Sequence, residues 1–340
     1  MMHYRWPKRC VFNSAYGAFG SPFFVLYDTR LAEAITSSGR LSIKWVAHSV
    51  NQFLQKYGQK NSDYIIASDT DSIYLTLIDM VRAMGIEGDD VKRIIRFMDK
   101  FCDGPLQECI NDSFENLKDY VNAYQQKMFM KREALANKGV WTGKKRYFLN
   151  VHNLEGVEFA EPTVKITGLE AVRSTTPPDV RKKIKDALKV ILNENEPAIW
   201  KFIKDYREAY RQMELTKVSF GSTVNGLTKY QDIDNVYTKG TPMHVRAALV
   251  MNNHIEKMNL EHKYQMIKEG TKIKYAFLKM PNPIGEDVIA WETEIPSEFG
   301  IMEYIDYERM FERAFLNPID AILQKIGWSH RKVNRLSSYM

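Results

Sequence analysis

Two aspartates separated by one residue, Asp69 and Asp71, lie in the sequence Ser-Asp-Thr-Asp-Ser at positions 68–72. Carboxylate oxygens are the ligands that Mg²⁺ prefers, so two aspartates on one rigid element can hold part of a divalent metal site. Two such ions roughly 4 Å apart can activate an attacking hydroxyl and stabilise the charge that develops on a phosphate. Taken alone, these residues more often form an ordinary polar turn, because aspartate favours turns.

A second group, Lys144, Lys145, Arg146 and Tyr147, combines three cations with an aromatic ring. Cations on a strand can bind a phosphate backbone, and the tyrosine can contact sugars or bases. The alternative is a charged turn that faces solvent. Glu133 lies upstream of this group, where it is either near the metals or, more often for such a residue, an ordinary surface acid.

A third group lies on a helix that we predict from about residue 7 to residue 20. Its members Arg9, Asn13, Tyr16 and Gly17 follow spacings that place them on one face. Glycine inside a helix costs about 1 kcal/mol relative to alanine, so something must pack closely on this face. A flat nucleobase and a second helix are the two candidates. Arg9 can bind phosphate oxygens through its fork of donors, and Tyr16 can stack beside a base pair.

The elements that position these groups mix helix and strand. Extended segments are predicted at about 64–67, 144–151, 164–169 and 274–279. Helices are predicted at about 31–57, 91–124, 178–194, 197–213, 242–258 and 306–327. The alternation after Asp71 predicts a hairpin with both acids at its turn. Thr176, which precedes two prolines, is predicted to cap a helix, and we place a domain boundary near residue 170.

Composition sets wider limits. The 340 residues, 44% of them hydrophobic, are enough for about two domains, and the net charge of +6 is compatible with a nucleic-acid partner. The three cysteines form no CxxC pair, which indicates a reducing compartment without disulfides. The seven histidines lack the spacing of a zinc site. No apolar run is long enough to cross a membrane, so we expect a protein of the cytoplasm.

Together, the three groups resemble motifs of the family B replicative DNA polymerases, in particular those of large tailed phages. Residues 13–17 resemble the end of motif B, residues 68–72 resemble motif C, and residues 144–147 resemble the primer-gripping Lys-Lys-x-Tyr motif. Further palm-like and thumb-like segments are found at 23–36, 165–170, 242–246 and 282–285. The resemblance therefore covers essentially the whole chain.

The resemblance implies an α/β (α+β) fold in three parts. These are a fingers helix at 1–20, an antiparallel palm sheet within 21–169, and a mainly helical thumb at 170–340. Asp71 would bind two Mg²⁺ ions, for which Mn²⁺ could substitute, with support from Asp69. The incoming dNTP would be lined by Arg9, Asn13, Tyr16 and Gly17. The primer end would be held by Lys144, Lys145, Arg146 and Tyr147. Glu133 would support the metal ligands from behind.

Two departures from the family pattern shape the expectation. Motif A, which carries the other metal-binding aspartate, and the proofreading exonuclease are not found in this sequence. We therefore expect a split polymerase in which an N-terminal polymerase/exonuclease chain joins this one on primer–template DNA. A sliding clamp is a further candidate partner, through the C-terminus, and no membrane partner is expected. The second departure is Arg9, which stands where the family has a lysine that can donate a proton; arginine stays charged and donates poorly.

Two other functions compete with this interpretation. An inactive remnant that only binds primer–template DNA would not need Asp69 and Asp71, so their presence argues against it. A nucleotide-sugar transferase could use Asp-x-Asp with a metal. That function leaves the first helix and the basic residues unexplained.

Overall fold

The computed structural model of the chain describes residues 16–88, 90–173, 175–232 and 234–331. These residues fall into two units, each with its own core. Unit 1 takes the chain up to Asn137 together with His152–Pro162, and unit 2 takes Lys138–Val151 and the chain from Thr163 onward. The predicted assignment of 1–20, 21–169 and 170–340 to fingers, palm and thumb stays a prediction.

Unit 1 combines long helices with one hairpin. Its elements are α1 (Thr29–Leu54), β1 (Ile65–Asp69), β2 (Ser72–Leu75), α2 (Ile78–Ala83), α3 (Val91–Phe101) and α4 (Gln107–Tyr120). Helix α1 begins where the Asp28 carboxylate accepts a hydrogen bond from the backbone N–H of Arg30. A π-helical turn, Cys102–Leu106, joins α3 to α4. The helices predicted at 31–57 and 91–124 are thus confirmed, the second as two helices.

The core of unit 1 forms where α1 packs on α4. Val46 and Val50 of α1 are fully buried there, with Phe114 of α4. The indole N–H of Trp45 donates to the carbonyl oxygen of Ser113 at 3.0 Å, which satisfies a polar group at the edge of this contact. Helix α1 is therefore held along its C-terminal half, from which the chain continues to the hairpin.

Three strands then form a sheet in the order β3 (Ala134–Gly143), β4 (Arg146–Leu154) and β5 (Val157–Thr167). Two-residue turns link consecutive strands, so the sheet is antiparallel. At the second turn Glu155 and Gly156 have φ of +50° and +88°. Two positive φ values are what a type I′ turn requires, and such turns match the right-handed twist of the strands. Each strand passes from one unit into the other.

Unit 2 continues with helices and short strands around a larger core. Its further elements are α5 (Pro178–Asn193), α6 (Glu196–Tyr210), α7 (Leu215–Val218), β6 (Phe220–Thr223), α8 (Leu227–Tyr230), β7 (Gln231–Asp232), β8 (Val236–Tyr237), α9 (Met243–Lys257), β9 (Lys272–Phe277), β10 (Val288–Trp291), α10 (Tyr307–Phe311) and α11 (Asn317–Lys325). Strand β9 lies between β10 and β6 and is antiparallel to both. Helix α9 packs on β10, and α5 packs on α6.

The fold confirms a mixed α and β class with antiparallel strand pairs and corrects one local prediction. Helix α5 begins at Pro178 as expected, but its N-cap position is Pro177, and no side chain caps it. The prediction that Thr176 caps this helix is wrong, because Thr176 lies one residue too early and is buried. Strands β3, β6, β7, β8 and β10 were not predicted. None of the helices in the described residues has the length and apolar character needed to span a membrane.

We expect Leu188→Ala to lower the free energy of unfolding by about 2–5 kcal/mol, because Leu188 is fully buried in the core of unit 2. Its neighbour on α5, Lys189, is exposed, so Lys189→Ala should change stability by no more than about 0.5 kcal/mol. Urea unfolding of the two variants beside the wild type measures both values. Equal losses in the two variants would contradict the assignment of this face of α5 to the core.

Candidate functional site

The two aspartates lie on the β1–β2 hairpin of unit 1. Asp69, the last residue of β1, pairs with Ser72 across the hairpin, so Thr70 and Asp71 alone form the turn. The predicted hairpin is confirmed. The side chain of Asp69 is half-buried, whereas that of Asp71 is exposed. The two carboxylates are therefore carried by one short, closed element.

The turn between the two aspartates is tight. The backbone N–H of Asp71 donates to the carbonyl oxygen of Asp69 at 2.7 Å, across Thr70, whose φ is +56°. This is a γ-turn of the strained hand. The Thr70 hydroxyl also donates to Oδ1 of Asp69 at 3.1 Å, and Ser72 Oγ donates to the Asp69 carbonyl at 3.1 Å. A β-branched residue held at positive φ costs on the order of 1–3 kcal/mol, and such strain concentrates at functional sites.

The start of the hairpin is anchored by Tyr64, which is 3% exposed. Its backbone N–H donates to Oδ1 of Asn51 on α1 at 2.8 Å. Its hydroxyl accepts from the N–H of Gln59 at 2.8 Å and donates to Oδ2 of Asp79 at 3.1 Å. Burial raises the pKa of Tyr64, so this donor stays protonated. A Cβ on Gly58 would lie 1.9 Å from the hydroxyl, so only glycine fits there.

In the segment before β3, the side chain of Glu133 faces solvent, whereas that of its neighbour Arg132 is largely buried. The side chain of Glu133 is exposed, and its carbonyl oxygen accepts from the N–H of Glu155. The preceding Arg132 has a side chain that is 10% exposed; it lies 2.5 Å from Asp99 and 3.5 Å from Asp103. This ion cluster, in which Arg132 is largely buried and Asp103 is exposed, was not singled out from the sequence, where Arg132 is one charge in a run of three. It ties the approach to β3 to α3 and the π-helical turn.

The basic residues lie in unit 2, two of them on a turn. Lys144 and Lys145 form the turn between β3 and β4, which we call the basic turn; both side chains are exposed, and Lys145 has φ +58°. They had been predicted on a strand, and the strand begins only at Arg146. Nη2 of Arg146 lies 3.0 Å from both carboxylate oxygens of Glu170. The charge of Arg146 is thus already paired within the protein.

Tyr147 packs inside unit 2. The residue is 7% exposed, and its ring stacks on that of Trp141 with centroids 5.9 Å apart and planes at 25°. The next residue, Phe148, is fully buried in the core. These contacts fix β4 immediately behind the basic turn. The sequence, three cations followed by an aromatic residue, did not indicate that Tyr147 would be buried against Trp141.

The third group lies mostly outside the described residues, where Arg9 and Asn13 fall. Residues 16–19 are helical, and Tyr16 is 45% exposed. Within the described part of the chain, no atom lies within 4 Å of the position that a Cβ on Gly17 would take. Of the two explanations for this glycine, close packing against a second helix therefore has no support among these residues.

The donor set of the acidic hairpin suits a hard cation. Within the described ranges, no three or more His, Cys, Asp or Glu side chains converge in a way that could hold a metal. Asp69 and Asp71 supply carboxylate oxygens from a turn whose backbone is fixed, which fits part of a magnesium site. The remaining ligands of such an ion must come from water, substrate or further residues.

Comparisons with known proteins agree with these features. The family model of DNA polymerase family B matches residues 8–326. The DNA-directed DNA polymerase of Enterobacteria phage T4 is 32% identical over 339 residues, 96% of this chain and 37% of that protein. That of Escherichia phage RB69 is 33% identical over 339 residues, with the same shares. DNA polymerase 1 of Aeropyrum pernix is 23% identical over 243 residues, 70% of this chain and 20% of the relative. The chain thus spans 37% of the length of the phage relatives.

Proposed function

Because the chain belongs to DNA polymerase family B, we propose that it carries part of the polymerising centre of a DNA-directed DNA polymerase. The single observation that carries this proposal is the acidic hairpin, which holds Asp69 and Asp71 on a closed turn. The positive φ of Thr70 supports it, because strained backbone conformations cluster at active sites. The variant Asp71→Asn tests it, because it removes one of the two carboxylates without changing the shape of the turn.

Asp71 would hold two Mg²⁺ ions, or Mn²⁺ in their place, with support from Asp69. When bound, the ions would supply Lewis-acid stabilisation of the charge on the transferred phosphate. The contribution of the chain itself is orientation: the Thr70 hydroxyl bonds Oδ1 of Asp69, and the turn keeps Asp71 next to the end of β1. Glu133 would support these ligands from behind.

The incoming nucleotide would meet the helix that contains Tyr16 and Gly17. The exposed ring of Tyr16 offers a face for the nascent base pair, and no described atom fills the space beside Gly17. Asn13 and Arg9, outside the described residues, would complete this face. Arg9 would bind the triphosphate as a fixed positive charge and would not serve as a proton donor.

The primer would be bound by the basic turn. Lys144 and Lys145 present exposed ammonium groups, which attract phosphates without regard to sequence. Arg146 and Tyr147 would contribute through the turn that they support, because the charge of Arg146 is paired and the ring of Tyr147 is packed. Primer–template DNA and dNTP are thus the proposed substrates.

We expect Lys145→Ala to weaken primer–template binding for all sequences alike and to lower the salt slope, the dependence of log affinity on log salt, by about one unit. Fluorescence anisotropy of a labelled primer–template at several salt concentrations measures this slope. Lys325→Ala on α11 removes the same charge from another exposed position of unit 2 and serves as the control. If both variants keep the wild-type slope, Lys145 is only a solvated charge.

A second polypeptide would complete the polymerase. Two aspartates supply only part of the ligands that two divalent ions need, and the resemblance implies a further metal-binding aspartate in motif A, which is not found in this sequence. We propose that an N-terminal polymerase/exonuclease chain supplies it together with proofreading. A sliding clamp that binds through the C-terminus would retain the assembly on DNA.

A further inference from the structure

The chain that follows β5 lies directly against the basic turn. Gly168 has φ +68°, and a Cβ on it would lie 2.1 Å from the carbonyl oxygen of Lys145. Non-bonded carbon and oxygen atoms do not approach this closely. The obstructing atom belongs to the backbone, so no side-chain rotation can relieve the clash. Position 168 therefore requires glycine for two reasons. Its φ is left-handed, and the basic turn occupies the space that a Cβ would need.

Glu170 contacts Arg146, the residue that directly follows the basic turn. Its two carboxylate oxygens accept from Nη2 of Arg146, each at 3.0 Å, and Oε1 lies 3.5 Å from Nη1 of Arg173. Charge-assisted bonds of this kind are stronger than neutral ones and orient the guanidinium. On the strand side, Thr142 Oγ1 donates to the carbonyl oxygen of Arg146 at 3.1 Å. The residue that follows the basic turn is thus held from two directions.

The segment that makes these contacts is anchored in the core of unit 2. Leu169 is fully buried and Ala171 is 1% exposed, so alternate residues point into the core. Gly168, which precedes Leu169, contacts Lys145 of the basic turn. Glu170, which lies between Leu169 and Ala171, contacts Arg146 directly after that turn. Close-packed core residues shift only at the cost of voids or strain, so the position of this segment is set by the core. A rigid element therefore lies behind an exposed pair of lysines.

We propose that residues 168–170 act as a brace that fixes the backbone of the basic turn and so positions the ammonium groups of Lys144 and Lys145 on the primer. This inference rests on the proposed function, which assigns both lysines to the primer. Gly168 and Glu170 are positioning residues, since they act on the turn and not on DNA. Without the brace both lysines are still present, but DNA binding must then pay the entropy of ordering the basic turn. In the wild type the brace holds the turn in order before DNA binds.

Hydrogen–deuterium exchange in the full chain tests the brace without DNA. In Gly168→Ala, the amides of residues 144–147 should exchange faster by about tenfold, because local opening becomes easier. The matched control is Gly285→Ala: Gly285 has the same φ of +68°, but among the described residues no atom lies within 4 Å of its Cβ position. That control should leave exchange at 144–147 unchanged. Unchanged exchange in Gly168→Ala, or an equal rise in both variants, overturns the brace.

Primer–template affinity tests the positioning role. Gly168→Ala should weaken binding by about tenfold in the wild-type background and have no further effect where Lys144 and Lys145 are both alanine, since it acts through them. Additive losses would reveal a general structural defect and overturn the proposal. If removing both lysines changes neither affinity nor salt slope, the proposed primer-binding function fails. The exchange experiment then still decides the brace.

Thermal unfolding shows whether Gly168→Ala folds. If it does not fold, Glu170→Gln provides a second test of the brace. Glutamine keeps the size of the side chain and removes the charge that orients Arg146. We expect faster exchange at 144–147 and weaker primer–template binding, with recovery of both in Glu170→Asp. Tighter binding in Glu170→Gln would show that Glu170 merely neutralises Arg146, and would overturn its role in the brace.

Discussion

Asp71→Asn is expected to abolish primer extension by the assembled polymerase while primer–template binding stays close to that of the wild type. A carboxylate that holds catalytic metals supplies several kcal/mol at the chemical step, so kcat should fall by about 10³-fold or more. Affinity for DNA should change little, because contacts with phosphates dominate it and Asp71 makes none of them in the proposed site. Asparagine has the same shape and also favours turns, so the hairpin should keep its structure.

Single-turnover extension of a labelled primer, combined with anisotropy of the same DNA, separates the two quantities. Asp112→Asn, at an exposed position of α4 in the same unit, removes an equal charge and should extend normally. Ordinary turnover by Asp71→Asn would show that the acidic hairpin is only a turn. Absence of extension by the wild-type assembly as well would favour the inactive DNA-binding remnant.

The chain alone is expected to show no measurable primer extension, and extension should appear once the N-terminal polypeptide is added. Asp69 and Asp71 supply only part of the ligands that two divalent ions need, so catalysis should wait for the ligands that the second polypeptide brings. The expected gain on addition is therefore from background to a rate within the range of about 1–10³ s⁻¹ typical of enzymes.

A titration of the second polypeptide against a fixed amount of this chain measures the gain and its stoichiometry. The same titration with Asp71→Asn is the control, because it keeps the assembly and removes the proposed ligand. Robust extension by the purified single chain would contradict the need for a partner. Saturation at a ratio other than one to one would contradict a simple two-chain enzyme.

The sequence predicts a structural feature well when the residues that determine it are close together along the chain. The acidic hairpin was predictable because its signals are local: an apolar strand, a polar turn and renewed alternation. The basic turn was not predictable, because a turn residue with positive φ is usually glycine or asparagine. In this turn the residue with φ +58° is Lys145. Its partners Gly168 and Glu170 lie more than twenty residues further along the chain, beyond any local pattern.

Local rules also failed where two of them competed. A threonine before an apolar helix is a good cap signal, yet two prolines follow Thr176. Pro177 takes the N-cap position and Pro178 the first helical position, where a missing N–H is harmless. The helix therefore starts without a side-chain cap. The roles of Arg9 and Asn13, and of the metal ligands, remain predictions of the sequence.

The alternation of the chain between the two units has a consequence for its synthesis. Residues 138–151 belong to unit 2, but they leave the ribosome before His152–Pro162, which complete unit 1. Unit 1 therefore cannot finish folding until residue 162 has emerged, and by then strand residues of unit 2 have emerged ahead of most of their core partners. Neither unit is one uninterrupted stretch of the chain, so a fragment that ends within residues 138–151 lacks part of the β3–β4–β5 sheet and leaves an unpaired strand edge that is prone to aggregate.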